Sequence, residues 1–260
     1  MPFTLSHVAA VVPFRRMLPF SALVIGSMVP DLPYFVPRLV NNHFAHGTWG
    51  FFVFCLPAGL AALWVFHHFF KEPTVALLPE SHQRRLKLQP FHFLPWRTFV
   101  MVCAALLLGS VTHIVWDQFT HEDAWTVQHI AWLQESFFIH GHRLQNSDVL
   151  QHVSTFVGLL LLLLWYVKWL HAPETGRLDH RYQISDRSKA LILTFFAIVA
   201  VIPGVLLVMD TPYYLHHSRV HTMALVVFIG LKIVFLEMVG FCVIWHMRRR
   251  ARPEIDGIPA

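Results

Sequence analysis

His113, Asp117 and His121 recur at intervals of four in Thr112-His113-Ile-Val-Trp-Asp117-Gln-Phe-Thr-His121, where a long apolar stretch gives out. Four residues carry an α-helix about 40° past a full turn, so the three side chains would share one face. Imidazole nitrogen and carboxylate oxygen are the usual ligands of Zn²⁺ and related ions. Ionisable groups at the edge of a membrane segment are costly unless something pairs with them. The row can hold one ion, or two with the carboxylate as bridge. Polar groups hydrogen-bonded to neighbouring helices are the alternative; the metal reading is favoured, because ionisable residues inside a membrane are functional by default.

Four further positions join it as candidates. Asp31 sits in Gly26-Ser-Met-Val-Pro-Asp31-Leu-Pro-Tyr-Phe35, an apolar run whose prolines free nearby backbone groups. A buried carboxylate there calls for a cation, a salt bridge to Arg38, or a capping role. His46 closes Asn41-Asn-His-Phe-Ala-His46 and opens the next apolar run; His7 lies in Thr4-Leu-Ser-His7; His152 starts His152-Val-Ser-Thr155. Alone, each of these histidines reads as a loop or helix-start residue. Together, Asp31 and Asp117 are the carboxylates expected to orient or deprotonate a water, and His7, Asp31, His46, His113, Asp117, His121 and His152 are the candidate ligands. No glycine-rich phosphate loop, dinucleotide fingerprint or Gly-x-Ser-x-Gly elbow competes with them.

The segments that must position these groups are apolar helices. The chain has 260 residues, 55% hydrophobic and 13% charged, where soluble domains carry about 25% charged residues. Trp49–Phe70, Thr98–Trp116, His152–Leu170, Lys189–Met209 and Thr222–Trp245 are long enough to cross a bilayer, and Met17–Val36, broken by prolines, is a sixth candidate. The expected fold is all-α: a polytopic membrane bundle of about six transmembrane helices with a short N-terminal interfacial or re-entrant helix over Thr4–Phe14, capped by Thr4 or Ser6. Residues 1–252 read as one integral-membrane domain and 253–260 as a disordered tail. Glu122–Gln151 reads as a long loop whose Trp125 and Trp132 suit the bilayer interface. Met1–Arg16 lacks a leading positive charge and a small-residue cleavage site, so no cleavable signal peptide is expected.

Of the twenty lysines and arginines, sixteen fall in the N-terminal stretch, two loops and the tail that this topology puts on one side. Arg38, Arg143 and Arg219 fall on the other, and Lys232 lies inside the last span. That bias predicts a cytoplasmic C-terminus and puts the candidate ligands at the opposite face. It also explains the net charge of +5 without nucleic acid. Asp210, His216, His217 and His221 would share that opposite face. Cys55, Cys103 and Cys242 all lie in apolar spans and read as small buried hydrophobes.

Met1-Pro-Phe-Thr-Leu-Ser-His7, Ser21-Ala-Leu-Val-Ile-Gly-Ser-Met-Val-Pro-Asp31-Leu-Pro-Tyr-Phe35 and Thr112–His121 closely resemble an uncharacterised bacterial membrane family, the domain of unknown function 4184. The order His7, Asp31, His46, His113-x-x-x-Asp117 is more distantly similar to the ligand order of zinc-dependent phospholipase C and related membrane-bound metal-dependent hydrolases. That similarity implies Asp31 or Asp117 as a bridging ligand and His7, His46 and His113 as terminal ones, with His121 and His152 standing for later histidines. A later His-x-x-x-Glu pair is missing here, so one or two ions, with zinc the expected metal, replace the three of that family. The expected function is hydrolysis of a lipid or lipid-linked phosphoester at the outer face of a bacterial inner membrane. Its partners would be membrane lipids. A metal-binding transporter and a non-catalytic structural protein are the alternatives.

Overall fold

The computed structural model describes residues 3–35, 41–86, 90–139, 142–174, 183–209 and 219–250. Among the described residues the chain is all-α apart from one hairpin. Helical turns over Thr4–His7, Val8–Val11 and Val12–Arg16 lead into α1 (Phe20–Gly26). Then follow α2 (Thr48–Leu77), α3 (Trp96–Asp117), α4 (Asn146–Leu170), α5 (Asp186–Met209) and α6 (Arg219–Arg250). Among the described residues five helices, α2 to α6, are long and apolar enough to cross a membrane.

Met17–Val36, the sixth candidate span, is not one helix. α1 ends at Gly26, and a 3₁₀ turn over Val29–Asp31 and a helical turn over Leu32–Phe35 follow. Pro30 has no N–H to donate, so it cannot continue α1. The break leaves the Asp31 side chain turned inward, 1% exposed. The N-terminal cap is also used differently than expected. Ser6 Oγ donates to the Phe3 carbonyl oxygen, and Thr4 Oγ1 reaches across to Asp31.

The chain forms two compact units, residues 1–66 with 90–172, and residues 67–89 with 173–260. Every described candidate ligand belongs to the first. Its core gathers Val8, Val11, Ala22, Leu23, Leu63, Val102, Ala105 and Leu106. Along α3 the buried positions are Val102, Ala105, Leu106, Gly109, Ser110, His113 and Asp117, the three-and-four spacing of a single helix face. This stripe is apolar for its first half and polar at its last two turns.

The approach of α1 to α3 is unusually close, because small residues line the contact. A Cβ on Gly109 would stand 2.5 Å from the Leu23 carbonyl oxygen and 2.6 Å from the Ser27 nitrogen. Ser110 Oγ donates to the Gly26 carbonyl oxygen at 2.9 Å and to Leu106 in its own helix at 3.0 Å. Where lipid tails are as apolar as leucine, close packing and such hydrogen bonds hold helices together. α4 lies along the N-terminal turns: Thr155 Oγ1 accepts from the Phe3 N–H, and Ser154 Oγ accepts from Trp116 Nε1 at 3.1 Å.

The described part of Glu122–Gln151, expected as a loop, is built of short elements. Short helical turns Trp125–His129 and Ala131–Gln134 precede an antiparallel hairpin of β1 (Ser136–Ile139) and β2 (His142–Gln145), with Phe137 opposite Leu144 and Phe138 opposite Arg143. α4 then starts at Asn146, six residues before His152. The Gln145 N–H donates to the Asp148 carboxylate at 2.9 Å and closes that helix start.

In the second unit α5 and α6 pack along each other, with Gly204 against Val226 and Gly230 near the Ala200 carbonyl. Arg249 pairs with Glu72, and Arg85 with Glu174 at 3.0 Å. Arg38, Asp210, His216, His217 and residues 253–260 lie outside the described residues, as does the side chain of His221.

Gly109→Ala puts a methyl group into backbone and is expected to cost about 1–3 kcal/mol, the usual penalty of overpacking. Gly240→Ala, where nothing lies within 4 Å of the added carbon, is the neutral control. Thermal denaturation of both variants in detergent, read by loss of helical circular dichroism, checks this.

Candidate metal centre

Four segments of the first unit converge on one point. The turn Thr4–His7 supplies Thr4 and His7, three apart and therefore on one side of a 3₁₀ turn. The broken helix after α1 supplies Asp31. The turn before α2 supplies His46, held there because Gly50 lets Phe44 lie against the start of α2; a Cβ at Gly50 would overlap the Phe44 carbonyl. Cys55 Sγ donates to the Ala45 carbonyl oxygen at 3.4 Å and ties the same turn down. The last two turns of α3 supply His113 and Asp117.

His113 Nε2 lies 3.4 Å from Asp31 Oδ1 and 3.1 Å from Asp117 Oδ2. His46 Nε2 lies 3.6 Å from Asp31 Oδ1 and 3.7 Å from Asp117 Oδ2. One ligand atom from each of Asp31, His46, His113 and Asp117 falls within 4.8 Å of the other three, a group that can hold a metal ion. On the far side of Asp117, His7 Nε2 is 3.4 Å and His121 Nδ1 3.7 Å from Oδ1. The His7 and His113 rings stack with centroids 4.0 Å apart.

These spacings suit an ion better than they suit hydrogen bonds. Ligand atoms about 2.0–2.2 Å from a tetrahedral ion stand about 3.3–3.6 Å from one another, and the nitrogen–oxygen separations fall at or near that range. The atoms lack other partners: His7 Nδ1 and Nε2, Asp31 Oδ1, His113 Nε2 and Asp117 Oδ1 are all buried without a hydrogen bond. Each such atom costs about 1–3 kcal/mol when nothing satisfies it. Such a concentration fits bound metal, which would take up lone pairs of Asp31, His113, Asp117 and one nitrogen of His7.

The remaining atoms of the same groups are held in place. Thr4 Oγ1 donates to Asp31 Oδ2 at 2.6 Å. His113 Nδ1 donates to the Ser27 carbonyl oxygen at 2.7 Å, which fixes the tautomer and leaves Nε2 facing the two carboxylates. Burial, and then the neighbouring His113 ring, push the His7 imidazole down to about 4, so His7 is neutral near pH 7 and its lone pair is free to bind. Asp31, His113 and Asp117 are 1%, 0% and 6% exposed; His46, with a side chain 22% exposed, marks the opening to solvent.

Residues 1–245 match the family described as Domain of unknown function (DUF4184). The chain belongs to this family. No curated protein and no solved structure matches it. Family membership carries no activity with it, so the chemistry of this member is argued from its side chains.

Of the seven expected ligands, the structure brings His7, Asp31, His46, His113 and Asp117 together, with His121 at the margin. His121 lies beyond the end of α3 in a turn, and its Nδ1 also approaches the Asp117 carbonyl oxygen, at 3.2 Å. His152 is not gathered. Because α4 begins at Asn146, residue 152 falls inside the helix, exposed, with Nδ1 donating to the Asp148 carbonyl oxygen at 2.7 Å. Two contributors were not read from the sequence: the Ser27 carbonyl, which no residue type announces, and the Thr4 hydroxyl. The spacing of Thr4 and His7 would have pointed to the latter, had the turn been taken as 3₁₀.

Asp31→Ala and Asp117→Ala are expected to lose bound Zn²⁺, with affinity falling by more than the roughly 10–100-fold typical of an outer-shell change. His152→Ala is expected to keep it. Metal analysis and Zn²⁺ titration of the detergent-purified variants check both.

Proposed function

We propose that this protein is a membrane-embedded, metal-dependent hydrolase of a lipid or lipid-linked phosphoester. The observation that carries the reading is the set of five buried, unpartnered nitrogen and oxygen atoms on His7, Asp31, His113 and Asp117, spaced as ligands of an ion are spaced. Asp31, His46, His113 and Asp117 Oδ2 would hold one divalent ion, with zinc suited to this mix of imidazole and carboxylate. Asp117 Oδ1, His7 and His121 would hold a second. Bound there, such an ion would supply Lewis-acid polarisation of a phosphoryl oxygen and an activated water near neutral pH.

The chain's own groups do the rest. Asp31, anchored through Oδ2 by Thr4, keeps Oδ1 aimed at the centre, where it can orient a water or receive its proton. His113 is locked by Ser27 and cannot turn away. His46, the most exposed of the four, lies where substrate must enter. Exposed Phe3, Leu5, Trp49 and Phe119 belong to the same short segments as Thr4, His46 and Asp117. An apolar rim around a charged floor suits a molecule with acyl chains and a phosphate. The lysine and arginine bias would put this mouth on the non-cytoplasmic face of a bacterial inner membrane, with the C-terminus inside.

Incubating the purified protein with phospholipid vesicles or a chromogenic phosphodiester is expected to release product. Chelator should abolish that release and Zn²⁺ restore it. Thr4→Val is expected to lower turnover or metal affinity about 10–100-fold, as loss of an outer-shell partner does. A metal-loaded protein with no turnover on any phosphoester would refute the hydrolase and leave a metal-tied scaffold.

A further inference from the structure

The segment between α3 and α4 exposes three aromatic side chains and an isoleucine that no part of the site uses. Trp125, Ile130, Trp132 and Phe138 are 66%, 41%, 57% and 74% exposed. The segment is nevertheless folded from within. Val127 and Leu133, on the two short helical turns, are 1% and 2% exposed, and Gln134 Nε2 donates to the Val127 carbonyl at 3.1 Å. Asn146 Nδ2 donates to the Trp132 carbonyl at 2.8 Å, and Gln145 Nε2 to Glu122 at 3.2 Å. The aromatics therefore face outward from an ordered platform.

We infer that this platform is a membrane-binding surface, lying in the headgroup layer of the bilayer that α3 and α4 cross. Three observations choose lipid as its occupant. First, the segment joins the end of one membrane-length helix, at Asp117, to the start of the next, at Asn146, so its surface is continuous with the faces of α3 and α4 that meet lipid. Second, its composition is that of an interface layer: Trp125, Trp132 and Phe138 are interleaved with exposed Gln128, His129, Gln134 and Glu135. Indole and phenyl rings settle at headgroup depth, where polar neighbours stay hydrated. The core of a contact between two proteins is depleted in charged residues such as Glu135, because it would strand them without water. Third, a two-stranded hairpin has open edges, which hydrocarbon does not accept. β1 and β2 must therefore lie above the hydrocarbon, while Phe138 offers a ring to dip toward it.

A nitroxide placed by Phe138→Cys, in protein reconstituted into phosphatidylcholine–phosphatidylglycerol vesicles, tests this through collision with oxygen and with a water-soluble nickel chelate. Phe138 is exposed, so the label leaves the core undisturbed, and the unsubstituted protein gives the background from Cys55, Cys103 and Cys242. The expected result is high oxygen access, with chelate access several-fold below that of the same label at Glu80→Cys, an exposed site in the polar segment after α2. Trp132→Cys should behave like Phe138→Cys. Chelate access equal to that at Glu80→Cys would overturn the inference. So would protection that persists unchanged in detergent together with efficient Phe138→Cys disulfide dimers, which would make the occupant a second copy of the chain. Neither readout needs the protein to be an enzyme.

Discussion

Asp31 and Asp117 are carboxylates removed from water, and the surrounding structure is arranged around the cost of that removal. A charge buried without compensation costs far more than any single contact returns. Here compensation comes from the Thr4 hydroxyl on Asp31 Oδ2, while three imidazoles, His7, His46 and His113, are brought beside the carboxylates from three separate segments. It is incomplete, since Asp31 Oδ1 and Asp117 Oδ1 still lack hydrogen bonds. A cation bound there would close that gap. The same constraint that makes the bare centre costly is what would make it bind metal tightly.

Keeping such a centre together requires a backbone that does not yield. The contact of α1 with α3 supplies it: Gly109 removes the side chain that would hold the helices apart, and Ser110 stitches them through the Gly26 carbonyl. One residue further along α1, the Ser27 carbonyl is then within 2.7 Å of His113, although the two lie 86 positions apart. Helix packing, the end of α1 and the orientation of a ligand are thus one event. A change at Gly109 should be felt at the centre as well as in stability, because the carbonyl that orients His113 moves with α1.

The described polar chemistry of the first unit is concentrated at one end of α3. Val102, Ala105 and Leu106 fill the buried face below, and Ser110, His113 and Asp117 the face above. A continuous polar track through the spans, which transport of an ion would need, is not what this buried stripe resembles. A buried polar group at one end of a span is closer to what the proposed lipid-directed enzyme would need. The aromatic platform between α3 and α4 extends that logic outward, since it would set the depth of that end in the bilayer.

Properties that repeat along the chain were legible from the residues alone. Hydropathy gave the five long helices, and the interval of four gave the shared face of His113 and Asp117, because helix geometry converts sequence spacing directly into direction. That prolines interrupt the run around Asp31 was legible as well; the inward turn of its side chain was not. What needed three dimensions was every relation between distant segments. Nothing local says that His7 and His46 reach Asp117 while His152 does not. The answer lies in where α4 starts, six residues earlier than hydropathy implies, because Asp148 and Gln145 cap it in a polar stretch that reads as loop. The partners of Asp31 and His113 were hidden for a related reason: one is a backbone carbonyl, and the other a hydroxyl whose aim depends on a turn being 3₁₀. Sequence determines which groups are available and which way each faces on its own helix; only packing, through close backbone approach at Gly109 and Gly50, decides which of them meet.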